Sequence, residues 1–205
     1  MFKPFKKVRR LLQAKQEKRL GDFAILKSDL LGAKVAPEVA PLLEPVVGYY
    51  PAIALDELIQ YPAGTFGYEY AHHMQENGLT PFNVSAELDA IARRNVFALR
   101  YAVTHDIFHV LLGFDTSYAG EIGVLAFAAE QGYSPSLRFS LRLARWLYPL
   151  IVPDQRDAIA IHTQKGRSLA QKAKFLLGYR FEEHWSEPIE KVRSQLGLPP
   201  HSAPT

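Results

Sequence analysis

Four side chains between Tyr101 and Tyr133 have the types and the spacing to gather a metal ion: His105, Asp106, His109 and Glu121. The residues around them are largely apolar (Val103, Ile107, Phe108, Val110, Leu111, Leu112), so a solvated helix face does not account for them. On a helix advancing about 100° per residue, His109 lies about 40° round from His105 and Asp106 about 100° from it, so all three share one arc. Gly113 breaks that helix and Asp115 offers an N-cap for the next, a connection short enough to predict an antiparallel hairpin. His109 stands six residues before Asp115 and Glu121 six after it, which sets the two at equal height across the hairpin. Two imidazoles and two carboxylates converging on one point are a donor set for a divalent cation. Zinc suits nitrogen with oxygen, iron(II) and manganese are alternatives, and magnesium wants more oxygen and water. The metal-free alternative is a histidine–carboxylate hydrogen-bond network bracing the hairpin, since a buried carboxylate needs a partner in either case.

The elements that must position these groups are all helical in pattern. The motif helix is expected from about Val96 to Leu112 and the Glu121 helix from about Thr116 to Gln131, with Gly120 and Gly123 inside it at a cost near 1 kcal/mol each. That cost implies close approach of a neighbouring helix or a substrate. Upstream, Pro37, Pro41, Pro45 and Pro51 keep helices short. Thr65 caps a helix from Phe66 to Asn77 that carries His72 and His73, about 100° apart and so unable to face one centre together. They read as surface or core-edge residues, one of which could line a substrate pocket. Ser134-Pro135 starts a helix to about Leu150, with Arg138, Arg142 and Arg145 along one face as a solvated stripe or an anion site. Further helices are expected to Leu177 and from about Glu182 to Leu196, the last anchored by Trp185. No alternating strand pattern or repeat stands out. The fold class is all-α: a basic arm over 1–20, one helical domain over 21–199 and a flexible tail over 200–205.

Composition narrows the classes. The chain has 205 residues, enough for one full core, and no cysteine, which removes disulfides and thiolate ligation. No apolar run approaches the length of a membrane span. The net charge of +3 hides an asymmetry: residues 1–20 hold eight Lys or Arg against Glu17 alone. With Phe2, Phe5, Val8 and Leu12 at helical spacing, the arm reads as a helix for a membrane surface or acidic partner. Nucleic acid is not an expected partner, because no recognised binding module surrounds the basic cluster. Homo-oligomer formation stays open.

The string HDIFHVLLGFDTSYAGE fits H-D-x-x-H-x(11)-E without a gap, and it resembles the signature of the Coq-four family of ubiquinone (coenzyme Q) biosynthesis proteins. The likeness extends upstream through YPAGTFGYEYAHHMQENGL and downstream through GRSLAQKAKFLLGYRFEEHWSEPIEKVRSQLGL, covering roughly Leu43 to Pro199. The resemblance implies that His105, Asp106, His109 and Glu121 are the metal ligands. It also implies a polyprenylated aromatic or isoprenoid lipid as ligand, and other quinone-biosynthesis enzymes and a membrane surface as partners. A metal-dependent oxidative decarboxylation at ring carbon one is attributed to such proteins. Tyr70, Met74, Phe127 and Leu143 are then candidate walls for the prenyl tail, and Arg138 and Arg142 candidates for an anionic group. No organelle presequence is evident, which points to a bacterial-type homologue peripheral on the cytoplasmic face of a membrane, or on the mitochondrial matrix side in a eukaryote. The competing readings are a non-catalytic prenyl-lipid scaffold with a structural metal and, from the superficial likeness of HDxxH to other metal motifs, a metal-dependent hydrolase.

Overall fold

A computed structural model describes residues 3–30 and 32–200, with side chains from residue 10 onward. Among these residues there are eleven α-helices and no strand; the one β-type contact is an isolated bridge between Thr65 and Pro188. The helices are α1 (Lys3–Gln16), α2 (Leu20–Leu30), α3 (Leu55–Leu58), α4 (Phe66–Glu76), α5 (Asp89–Arg94), α6 (Val96–Val103), α7 (His105–Leu112), α8 (Tyr118–Glu130), α9 (Pro135–Ile151), α10 (Arg156–Lys172) and α11 (Ile189–Gln195). The all-α expectation holds, and Thr65 and Ser134 cap α4 and α9 as their residue types require.

The main core runs through α4, α7, α8 and α10, with Phe66, Tyr70, Phe108, Phe127 and Phe181 among its fully buried side chains, and two smaller clusters lie where α2 packs on α6 and on α1. The basic arm forms α1, which meets α2 through Ala14 and Leu26, while Leu12 stays exposed. Phe2 and the side chains of Phe5 and Val8 lie outside the described residues, as does most of the C-terminal tail.

Four boundaries differ from the sequence expectation, each for a tertiary or side-chain reason. The motif helix is two helices, because Thr104 turns its hydroxyl back onto the Arg100 carbonyl (2.6 Å) and leaves helical geometry at φ −106°, ψ 2°. Such back-bonding from a β-branched residue bends or breaks a helix. Helix α8 is capped by Ser117, not Asp115; Asp115 instead accepts from the Ser117 amide and hydroxyl. Helix α10 stops at Lys172 rather than Leu177. There the Gln131 amide donates to the carbonyls of Ala170, Ala173 and Lys174, and the Lys174 N–H pairs with the Leu196 carbonyl. The expected last helix is split. Trp185 and Glu187 lend their carbonyls to the free N–H groups of Gly67 and Phe66 at the start of α4, and a helix resumes only after Pro188.

Of the two glycines inside α8, Gly120 lies against the Asp115 carbonyl, which a Cβ there would overlap, and Gly123 lies against Phe114 and α10. A Cβ on Gly166 of α10 would overlap the carbonyl oxygen of Gly123, and one on Gly123 would lie 2.6 Å from the Phe114 ring. Helices α8 and α10 therefore approach to backbone contact, and the ring closing the α7–α8 connection fills what space remains.

The C-terminal segment is tied to the motif helices by two buried arginines. Arg100 on α6 is fully buried and pairs with Glu182 (2.9 Å), while also donating to the carbonyls of Tyr49 and Tyr179. Arg193 on α11 donates to the Leu111 carbonyl near the C-terminus of α7 and to that of Pro199 (2.6 Å). Removing one partner of a buried pair strands the other charge. Glu182→Ala should therefore cost about 3–5 kcal/mol in a denaturant melt. The double variant Arg100→Met/Glu182→Leu, which strands no charge, should lie closer to wild type than Glu182→Ala does.

Candidate metal centre

Helix α7 begins at His105 and carries His109 in its last turn, while α8 places Glu121 in its first turn, so the two helices meet across the short connection between them. His105 Nε2 lies 3.2 Å from Glu121 Oε2, His109 Nε2 lies 3.4 Å from Glu121 Oε1, and the two Nε2 atoms are 3.4 Å apart. Tetrahedral bonds of about 2.0–2.1 Å set neighbouring donor atoms about 3.3 Å apart. Each histidine nitrogen thus stands at about that spacing from the other and from one of the two Glu121 oxygens, and one ligand atom from each of the three residues lies within 4.8 Å of the others. His109 is buried, and its Nδ1 lies 3.3 Å from the Phe114 carbonyl. A carbonyl only accepts, so Nδ1 carries the hydrogen and, in the neutral ring, Nε2 presents its lone pair to the centre. The C-terminus of α7 is held in turn by Arg193 at Leu111 and by Lys165 Nζ at the Gly113 carbonyl (3.0 Å).

Asp106 does not join this group. The side chains whose ligand atoms lie within 4.8 Å of one another are His105, His109 and Glu121. The Asp106 carboxylate lies within electrostatic reach of His105, His109 and His73. Burial raises its pKa, the three histidines work against that, and Glu121 adds to it.

Electrostatics bind the three donors as a unit. Burial opposes ionisation of Glu121, but hydrogen bonds and charge from His105 and His109 outweigh it and hold the carboxyl well below the carboxylate range. Burial likewise opposes a charged His109. The Glu121 hydrogen bond and charge prevail, helped by the Phe114 carbonyl and Asp106, and raise its pKa.

Other residues reach the centre that the sequence pattern did not assign to it. The His73 ring stacks on His109 (centroids 6.1 Å, 18°), and its Nε2 is buried without a hydrogen-bond partner. Burial, then His109, lowers its pKa against the pull of Asp106 and Glu76. His73 opens on a cleft of about 410 Å³ shared with Glu69, His72, Glu76 and His109. On the other side Tyr101 meets His105 edge-on (5.8 Å), and Tyr148 of α9 meets Tyr118 (5.0 Å). Burial and the charge of Glu121 raise the pKa of both Tyr101 and Tyr148, so their hydroxyls stay protonated. Tyr101 lies four residues before His105, the one local signal that could have drawn it in.

The candidate lipid-lining residues are not gathered at the triad. Tyr70, Met74 and Phe127 are core side chains, Tyr70 stacking on Trp185 at 5.3 Å. Arg138 and Arg142 border a small cleft beside Ala129 and Glu130, nine residues along α8 from Glu121, or about 13 Å of helix. Leu143 is exposed on α9.

An all-α protein with an N,N,O triad across two successive helices defines a class, and the comparisons supply its family. Residues 50–202 match the family described as "Coenzyme Q (ubiquinone) biosynthesis protein Coq4", and the chain belongs to that family. It is 32% identical over 157 residues to the mitochondrial ubiquinone biosynthesis protein COQ4 homologue of Nematostella vectensis, covering 72% of each chain. It is 28% identical over 151 residues to that of Xenopus tropicalis, of which it spans 50%. A crystal structure of a protein assigned to ubiquinone biosynthesis, from Nostoc punctiforme PCC 73102, superposes with a TM-score of 0.66 at 25% identity over 93% of this chain and 94% of that one.

In metal-free protein the folded state binds the His109 proton more tightly, and the Glu121 proton less tightly, than the unfolded chain does. The contribution of their ion pair is therefore full between the ordinary values of 4.5 and 6.5. It fades as pH rises through the His109 midpoint or falls through that of Glu121. Glu121→Gln removes what holds the His109 proton and leaves the burial that opposes it. The His109 midpoint, followed by NMR in chelator-treated protein, should drop from above 6.5 toward or below it, and the loss of melting temperature should be larger at pH 6 than at pH 9.

Proposed function

We propose that this protein acts in ubiquinone biosynthesis by holding a divalent cation on His105, His109 and Glu121 and presenting it to an oxygen of a polyprenylated aromatic intermediate. The observation that carries the reading is the convergence of three donor side chains with ligand atoms within 4.8 Å of one another, with His109 already turned by the Phe114 carbonyl, in a chain of the Coq4 family. Three protein donors leave a coordination position free, as catalytic sites do and closed structural sites do not. The donor set favours zinc, iron(II) or manganese. A bound cation supplies Lewis acidity, drawing charge from a carboxylate or phenolic oxygen of the ring.

The protein's own groups divide the remaining work. His109 and Glu121 fix the centre's position, each held by contacts that do not depend on substrate. Tyr101 and Tyr148 wall one side with rings that exclude water and with hydroxyls that stay protonated, available as donors to a ring oxygen. The cleft at His73 leaves a way to the centre from the other side. For the prenyl tail we assign a second cleft, about 520 Å³, whose apolar wall includes Val35, Leu43, Val47, Val96 and Phe97. The Phe97 ring stacks on Tyr101 (5.6 Å), which meets His105, so this cleft lies about two helical turns from the triad. The reaction favoured is oxidative replacement of the ring carboxyl by hydroxyl, in which water supplies the hydroxyl oxygen, the carboxyl leaves as carbon dioxide, and dioxygen takes up the electron pair and two protons to leave as hydrogen peroxide.

Elemental analysis after metal loading should find close to stoichiometric cation in wild type and none in His109→Ala or Glu121→Ala, with Asp106→Asn retaining metal. Loaded wild type, given prenylated hydroxybenzoate and dioxygen, should yield carbon dioxide and a hydroxylated ring. Tight binding of the prenylated acid without turnover would instead favour a lipid-binding scaffold, and a metal-free wild type would remove the proposal's centre.

A further inference from the structure

Helix α9 carries two apolar faces, and the core uses only one. Leu137, Leu141 and Ala144 are buried against the domain. Directly opposite, Phe139, Leu143, Trp146 and Leu150 are 68, 44, 66 and 68% exposed. At 100° per residue these four fall within about 60° of arc, a continuous stripe about 17 Å long. Large apolar side chains gathered in this way mark an interaction surface rather than ordinary surface variation.

The flank of the stripe identifies what it meets. Arg138, Arg142 and Arg145 run along one side of it, and Arg167 of α10 joins them around a small cleft. The helix, PSLRFSLRLARWLYPLI, contains no carboxylate. Of the acidic groups nearby, Glu130 lies 3.9 Å from Arg167 and accepts from Gln171, and Asp154 and Asp157 follow only after α9 has ended. Antiparallel two-fold pairing of two copies through the stripe would set one arginine row beside the other, an electrostatic mismatch. An aromatic-rich stripe with a cationic flank and no anionic one matches an anionic lipid surface, where Phe, Trp and Leu enter the acyl boundary and arginines reach phosphate groups. No helix among the described residues is long and apolar enough to cross a membrane, so the contact is in-plane.

We propose that α9 is a membrane-docking helix, which lays Phe139, Leu143, Trp146 and Leu150 into the interface of an anionic bilayer with Arg138, Arg142 and Arg145 at the headgroups. The inference is independent of the metal reading. Its test is co-flotation of the full chain with phosphatidylcholine vesicles, with and without phosphatidylglycerol, at low and high salt. Size-exclusion light scattering and circular dichroism of each variant accompany it. Wild type should float with the anionic vesicles and shift its tryptophan emission to the blue. Phe139→Ser/Trp146→Ser should reduce the bound fraction at least about tenfold while keeping the wild-type melt, since both side chains are already exposed. Arg138→Gln/Arg142→Gln/Arg145→Gln should lose the dependence on phosphatidylglycerol. The proposal is overturned if wild type does not float, if the Phe139/Trp146 variant floats as wild type does, or if that variant changes only a dimer into a monomer.

Discussion

Two buried guanidinium groups must find acceptors inside the protein, and the arrangement of the functional helices follows from how they do so. Arg100 takes the Glu182 carboxylate and the carbonyls of Tyr49 and Tyr179; Arg193 takes the carbonyl of Leu111. One anchors the helix before the histidines, the other the far end of the helix that bears them. A desolvated charge is tolerated only with its partners in place. The C-terminal segment is thereby bound to the motif helices across about eighty residues of chain, with one anchor on each side of the break at Thr104.

The same economy of polar groups shapes the neighbouring elements. Gln131 completes the last turn of α10, Trp185 and Glu187 complete the first turn of α4, and the Phe114 carbonyl sets the tautomer of His109. Each serves a group left open by a helix end or a ring nitrogen. Gly123 and Gly166 permit the backbone contact between α8 and α10, which leaves the opposite side of α8 free to carry Glu121. The reactive groups thus sit where three constraints intersect: a broken helix, a tight helix pair and a buried ion pair.

Helix α9 links this interior to the outside. Its inner side sends Tyr148 to the rings beside Glu121, while its outer side presents an apolar stripe and a row of arginines.

The sequence by itself determined the helical class, the caps at Thr65 and Ser134, the left-handed stop at Gly113 and the pairing of His105 and His109 with Glu121. All of these depend on neighbours within a few turns of one helix or across one short connection, where periodicity and residue type govern. Tertiary structure decided the break at Thr104, the exclusion of Asp106, the stacking of His73 on His109 and the burial of Tyr70, Met74 and Phe127 as core. It also decided that one face of α9 stays uncovered. These features depend on which distant segment supplies an acceptor, a ring or a packing surface, and local pattern carries no record of that choice.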